Sequence, residues 1–134
     1  TGPLWYRGLA QHDEALESAH LDAVLAFYDA DHIVIGHTPG WGTVVPRFGG
    51  KVILIDSGMS EYYGSHRASL EIDSGEFRTR QGNNLLDLPL GDDDPLPYLQ
   101  AIAEIEGNVP ALLQLIQAYL AGDTATGRTP AQAN

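Results

Sequence analysis

The chain has no cysteine. Disulfides, thiolate nucleophiles and cysteine-ligated zinc are therefore excluded, and stability has to come from a packed core. Basic residues are scarce: seven Lys and Arg stand against eighteen Asp and Glu, a formal charge of −11. That balance opposes a protein whose main task is gripping nucleic acid or an anionic membrane, so neither is expected as a partner. Any anion must be held by a local site. Long apolar runs are missing too, and no stretch reads as a membrane span or a secretory leader. A soluble, cytoplasmic setting is the default expectation, any signal peptide lying upstream of Thr1. The chain opens on Thr1-Gly2-Pro3 rather than methionine, as a piece cut from a longer protein would.

What is present fits one globular unit: 134 residues, 43% of them apolar, alternating between strand-like and helix-like segments. "DEALESAHLDAVLAFYDA" predicts a helix with Leu16, Ala19, Ala23, Val24, Phe27 and Tyr28 on its apolar face. Asp13 and Glu14 sit at its favourable end. His20 reads as a core or boundary residue without chemistry. "HIVIGH" is a short β-branched run, a buried strand. "TVVPRF-GG-KVILID" predicts two strands around a two-residue Gly-Gly turn, with Pro46 making the first arm an edge. "RASLEI-DSG-EFRTRQ" predicts a second hairpin whose Glu71, Glu76, Arg78 and Arg80 face water.

"GNNLLDLPLGDDDPLP" then reads as a loop. Its triplet Asp92 to Asp94 resembles a metal cluster, but carboxylates in a Pro/Gly setting more often cap the next helix or face water. Two helices follow, about Tyr98 to Glu106 and Val109 to Leu120, with Pro110 tolerated in a first turn. Residues 122–134 lack apolar periodicity and read as a disordered tail.

Four stretches carry residues with chemistry: Trp5-Tyr6-Arg7, Gly36-His37-Thr38-Pro39, Asp56-Ser57-Gly58-Met59 and Tyr62-Tyr63-Gly64. Each borders a predicted element, so all four are expected to converge on one rim of a sheet. An imidazole such as that of His37 is a good ligand for a first-row metal, and Gly36 leaves room for close approach. Arg7 brings a planar fork suited to two phosphate oxygens. One histidine does not make a metal site, however, and His12, His20, His32 and His66 show no ligand spacing among themselves. Asp56 before Ser-Gly is either a carboxylate ligand or an Asx-turn closing the strand, and the turn is favoured. A nucleophile at Ser57 is disfavoured, since "DSGMS" is no G-x-S-x-G elbow.

In order, "GPLWYRG…DHIVIGHTPGWGTVVPRFGGKVILIDSGMSEYYGSHRASLEIDSGEF" resembles the C-terminal half of calcineurin-like metallophosphoesterases. It is nearest in pattern to the bacterial branch related to protein phosphatases, the Shewanella-like phosphatases. The resemblance runs from about Gly2 to Phe77. It implies an α+β fold: part of an αββα sandwich of mixed and antiparallel strands with hairpins, over residues 1–82, followed by a helical appendage at 83–121. It implies a phosphatase in which two divalent ions (Mn, Fe or Zn) activate a hydroxide against a phosphomonoester, on a phosphorylated small molecule or a phosphoprotein. His37 would be a metal ligand and Arg7 a phosphate ligand. Tyr6, Thr38, Asp56 and Ser57 would line or brace the rim.

The family's D-x-H, G-D-x-x-D-R-G and G-N-H-E motifs are absent. With one of the expected ligands, the chain is expected to hold at most one weak metal site and to need the missing N-terminal half as its partner. The alternative is a non-catalytic α+β binding or assembly module that keeps the scaffold. Such a module would seat a partner through Trp5, Trp41, Tyr62 and Tyr63, unless those aromatics plug the core.

Overall fold

Strand β3 (Val52–Leu54) is the centre of the first sheet, buried at all three residues. β1 (Ile33–Ile35) runs parallel to it on one side and β2 (Val45–Arg47) antiparallel on the other. Pro46, which has no N–H to donate, thus lies on an edge strand as its chemistry requires. The computed structural model describes residues 2–122, so the predicted tail lies, apart from Gly122, outside the described residues.

The hairpin between β2 and β3 forms, but its turn is not the expected two-residue Gly-Gly. Arg47 pairs with Val52, which leaves Phe48 to Lys51 as a four-residue loop. Phe48, Gly49 and Gly50 all adopt positive φ there, at 52°, 62° and 83°. Phe48 is turned inward at 9% exposure, so burying its ring takes it out of the strand.

The second sheet is an antiparallel meander of β4 (Ala68–Asp73), β5 (Glu76–Gln81) and β6 (Asn84–Asp87). Ser74-Gly75 turns the first hairpin with both residues at positive φ, 52° and 82°, matching the right-handed twist of the strands. As expected, Glu71 and Arg80, and Glu76 and Arg78, pair on its accessible side. β6 corrects the sequence reading, which placed a loop here. Gly82-Asn83 turns the chain tightly enough for Asn84 to pair with Gln81. The run is only four residues long and its pattern comes from its neighbour.

Helices α1 (Gly8–Gln11) and α2 (Glu14–Tyr28) precede the sheets, and α3 (Leu96–Glu106) and α4 (Pro110–Leu120) follow them. Asp13 caps α2 by accepting from Ala15 N at 2.8 Å. The acidic triplet behaves as the cap reading predicts: Asp94 accepts from Leu96 N at 2.9 Å, at the start of α3. The apolar face expected of α2 is its outer one. Glu17, Leu21 and Leu25 are buried, whereas Leu16 (79%) and Phe27 (80%) are exposed. The cause is Glu17: a carboxylate in a buried row hides that row from a hydrophobic count. His20, expected at the core boundary, is exposed as well.

A polar seam joins the two sheets through α3. The Tyr98 hydroxyl donates to Val44 O at 2.7 Å and lies 2.8 Å from Thr79 Oγ1 on β5. Thr43 Oγ1 donates to Gln81 Oε1 at 2.7 Å, and Gln81 Nε2 donates to Gly42 O at 2.9 Å. Buried polar groups cost free energy unless partnered, and these are partnered. Burial raises the Tyr98 phenol above its ordinary pKa. The fold is therefore mixed α+β, as the sequence predicts, with two small sheets and four α-helices among the described residues. Among the described residues no helix is long and apolar enough to cross a membrane.

Candidate functional site

The parallel pairing of β1 with β3 brings their carboxyl ends to one rim, the side of a sheet where ligand sites are commonly built. Ile55 N donates to Ile35 O at 2.9 Å and keeps the strands together to that edge. Two residues beyond β1, His37 is exposed and holds φ 58°, in the left-handed region. Gly36 before it leaves open space: a Cβ there would meet nothing within 4 Å. Thr38 follows at 6% exposure, and its Oγ1 is buried without a hydrogen-bond partner.

Past β3, Asp56 Oδ1 accepts from Gly58 N at 3.2 Å, the Asx-turn favoured from sequence. Ser57 is buried, and its Oγ donates to His66 O at 2.9 Å. That hydroxyl is braced as a loop tie. Thus the segments of His37 and Thr38 and of Asp56 and Ser57 both follow the carboxyl ends of paired parallel strands.

The structure places Arg7 and Tyr6 in a different set of contacts. The Arg7 guanidinium donates to Leu4 O at 3.2 Å and lies over the Trp5 ring, 5.9 Å from its centroid. Tyr6 donates to Glu17 Oε1 at 2.5 Å, and His12 Nδ1 lies 2.6 Å from the same oxygen. These bonds hold the Glu17 carboxyl below its ordinary pKa and push the Tyr6 phenol up to about 12. Arg47 anchors the same segment from below, donating to Leu9 O at 2.6 Å and His12 O at 2.5 Å.

Of the aromatics, Trp41 is core at 3% exposure, while Trp5, Tyr62 and Tyr63 lie exposed. Two polar pairings escape the sequence reading. One is the Tyr6–Glu17–His12 group. The other joins His66 to Glu106, forty residues apart, with Nδ1 and Oε2 at 2.9 Å. Only the acidic residue inside an apolar helix pattern, Glu17, offered a signal for the first. The second had none.

As a metal centre the rim supplies one imidazole. Among the described residues no three His, Asp or Glu side chains are grouped to hold an ion. The described residues therefore do not fit a dinuclear centre by themselves.

No family model matches the chain, and no solved structure matches it. It is similar to Uncharacterized protein C1840.07c of Schizosaccharomyces pombe, at 40% identity over 77 residues. The match covers 56% of this chain and 23% of that protein, so the chain spans about a quarter of the relative's length.

Proposed function

We propose that this chain is the C-terminal portion of a metal-dependent phosphatase that hydrolyses phosphomonoesters and is inactive without its N-terminal portion. The observation that carries the reading is His37, an exposed imidazole in a left-handed conformation at the end of a parallel strand. The order of the G-H-T-P, I-D-S-G-M-S and P-L-W-Y-R-G elements supports it. Two divalent cations in the parent (Mn, Fe or Zn) would supply charge neutralisation and an activated nucleophile when bound. This chain's share is narrower. His37 offers one nitrogen to a metal, and Arg7 offers a guanidinium to the substrate phosphate once it leaves the carbonyl of Leu4. Thr38, Asp56 and Ser57 hold the rim, and Tyr6 fixes the segment that carries Arg7.

The substrate is a phosphorylated small molecule or phosphoprotein, in a soluble, cytoplasmic setting. The N-terminal portion would complete an αββα sandwich by pairing with the free edge of β1 and covering apolar surface such as the outer face of α2. That same face favours a second reading, a non-catalytic α+β assembly module. Leu16 and Phe27 lie exposed together on one helix face, apolar surface that a partner could cover.

Hydrolysis of p-nitrophenyl phosphate with added Mn2+ separates the two. The chain alone is expected to show no turnover above its His37→Ala control. Joined to the parent's N-terminal portion it should turn over, and His37→Ala should lower that by about 100-fold or more, beyond what outer-shell changes cost. No turnover in the joined protein, or full activity of its His37→Ala form, would leave the assembly module standing. Turnover by the chain alone that the substitution abolishes would show the half-site claim to be wrong.

A further inference from the structure

Helix α2 turns toward solvent a face without a polar side chain. The helical repeat sets Ala15, Leu16, Ala19, Ala23, Ala26 and Phe27 on one side, opposite the buried row of Glu17, Leu21 and Leu25, and all six are exposed. Asp22 and His20 border this face. A surface helix ordinarily turns polar residues outward, and an apolar face rimmed by polar ones marks an interaction surface.

The relief of the face is low in the middle. Leu16 stands near one end at 79% exposure and Phe27 near the other at 80%, with alanines between them. Alanines let a facing backbone approach closely. A second copy of α2 laid antiparallel along the face would set Leu16 against Phe27 at both ends and alanine against alanine between them. Bulk would meet bulk around a gap, and such gaps forfeit packing. A helix whose large apolar residues lie at its centre fills the same relief.

Charge decides in the same direction. No Lys or Arg occurs from Gly8 to Pro46, a stretch that holds six carboxylates. Glu17 is turned inward, Glu14 accepts from Phe48 N, and Lys51 matches Asp22 at 2.6 Å. Asp13 at one end of the face and Asp29 and Asp31 at the other remain exposed. In an antiparallel pair of copies, Asp13 of one would meet Asp29 and Asp31 of the other, and like charges facing each other oppose association. An anionic membrane is repelled for the same reason. Lys or Arg at the ends of an incoming helix would instead be attracted.

We propose that the outer face of α2 docks an amphipathic helix that carries bulky apolar residues at its centre and Lys or Arg at both ends. The proposal deepens the reading that this face is an interface by giving the chemistry of its occupant. It uses neither His37 nor Arg7, so it stands or falls apart from the phosphatase chemistry.

The probe is a synthetic helical peptide with leucines along the centre of one face and lysines at both ends. Its counterparts are the same peptide with glutamate in place of lysine, and a scrambled lysine peptide that has no apolar face. The readout is the backbone amide shifts across a titration of the whole chain. The expected result is saturable shifts at Ala19 and Ala23 with the lysine peptide, and binding about tenfold weaker or less for both counterparts. Raising the salt concentration should weaken the lysine peptide's binding. Ala23→Lys puts bulk and like charge at the low middle of the face, at an exposed position, and should weaken binding by about tenfold or more. Its unchanged circular dichroism would show that α2 is intact. No saturable shift, shifts centred away from α2, equal binding of either counterpart, or unchanged binding by folded Ala23→Lys would each overturn the proposal. Concentration-dependent shifts of Ala19 and Ala23 in the chain alone would overturn it too, by giving the face to a second copy.

Discussion

The Tyr6 hydroxyl donates to Glu17 Oε1 across 2.5 Å, fastening the N-terminal segment that carries Arg7 to helix α2. The contact has a built-in steric condition. A Cβ on Gly8 would sit 2.2 Å from the Tyr6 hydroxyl and 2.6 Å from Glu17 Oε1. Glycine at position 8 is therefore what allows phenol and carboxylate to meet, and Arg7 is positioned by a residue ten places along the chain.

The first consequence is an alkaline one. Glu17 accepts the phenolic proton, and burial adds to the effect, so the Tyr6 pKa rises from 10.0 to about 12. A raised folded-state value means that the bond's contribution is complete below pH 10 and is lost as the pH climbs toward 12. Burial also raises Tyr98 and Tyr119, so absorbance at 295 nm should show several late-titrating tyrosines, one of which disappears in Tyr6→Phe. If Tyr6→Phe leaves the titration curve unchanged near pH 12, the phenol is not held by Glu17.

Gly8→Ala tests the same contact without touching either partner. The methyl group must displace the end of the Tyr6 side chain, because that is what it would strike. The Tyr6 contribution to the late titration should return toward the ordinary 10.0, and stability should fall by about 1 kcal/mol, the scale of one hydrogen bond. Urea unfolding and the 295 nm titration measured together would decide it. Loss of stability with the late titration intact would place the strain elsewhere.

Glu17 governs the acid side. The hydrogen bond from Tyr6 lowers its pKa below 4.5 most, the one with His12 next, and burial opposes both. A depressed carboxyl contributes stability above its unfolded pKa and loses it as the pH falls through the folded value. Glu17→Gln should therefore be less stable than the natural chain at neutral pH, by about 1 kcal/mol. The gap should close well below pH 4.5, where both side chains are uncharged. A gap that stays constant from neutral to acid would mean that the charge on Glu17 plays no part.

Legibility followed the range of the interactions. Helices α3 and α4 and the hairpin at Ser74-Gly75 rest on local periodicity and turn chemistry, and they stand about where the residues put them. The Asx-turn at Asp56 and the cap from Asp94 are also local, and both were readable. β6 was not, because Asn84 to Asp87 become a strand only by pairing with β5. The candidate site divides in the same way. His37, Thr38, Asp56 and Ser57 follow two strands that run parallel, and that pairing of strands distant in sequence is what sets them on the same side of the sheet. The contacts of Tyr6 depend on Glu17 and those of His66 on Glu106, and pairings over that distance leave no periodic trace.

Helix α2 shows best how a buried polar residue can reverse a sequence reading, and it yields the sharpest stability test. Leu21 is 0% exposed and lies in the inner row with Glu17 and Leu25, whereas Leu16 is 79% exposed on the opposite side. Truncating Leu21 removes packed methyl groups and leaves a cavity, so Leu21→Ala should cost about 2–5 kcal/mol. Leu16→Ala removes a largely exposed side chain, so its effect should stay within about 0.5 kcal/mol. Urea midpoints at constant m-value would give both numbers. Equal costs would mean that both faces of α2 are covered in solution. A large cost for Leu16→Ala that falls on dilution would identify the cover as a second copy of the chain. A negligible cost for Leu16→Ala beside a large one for Leu21→Ala would leave the outer face free for the N-terminal portion proposed to complete the fold.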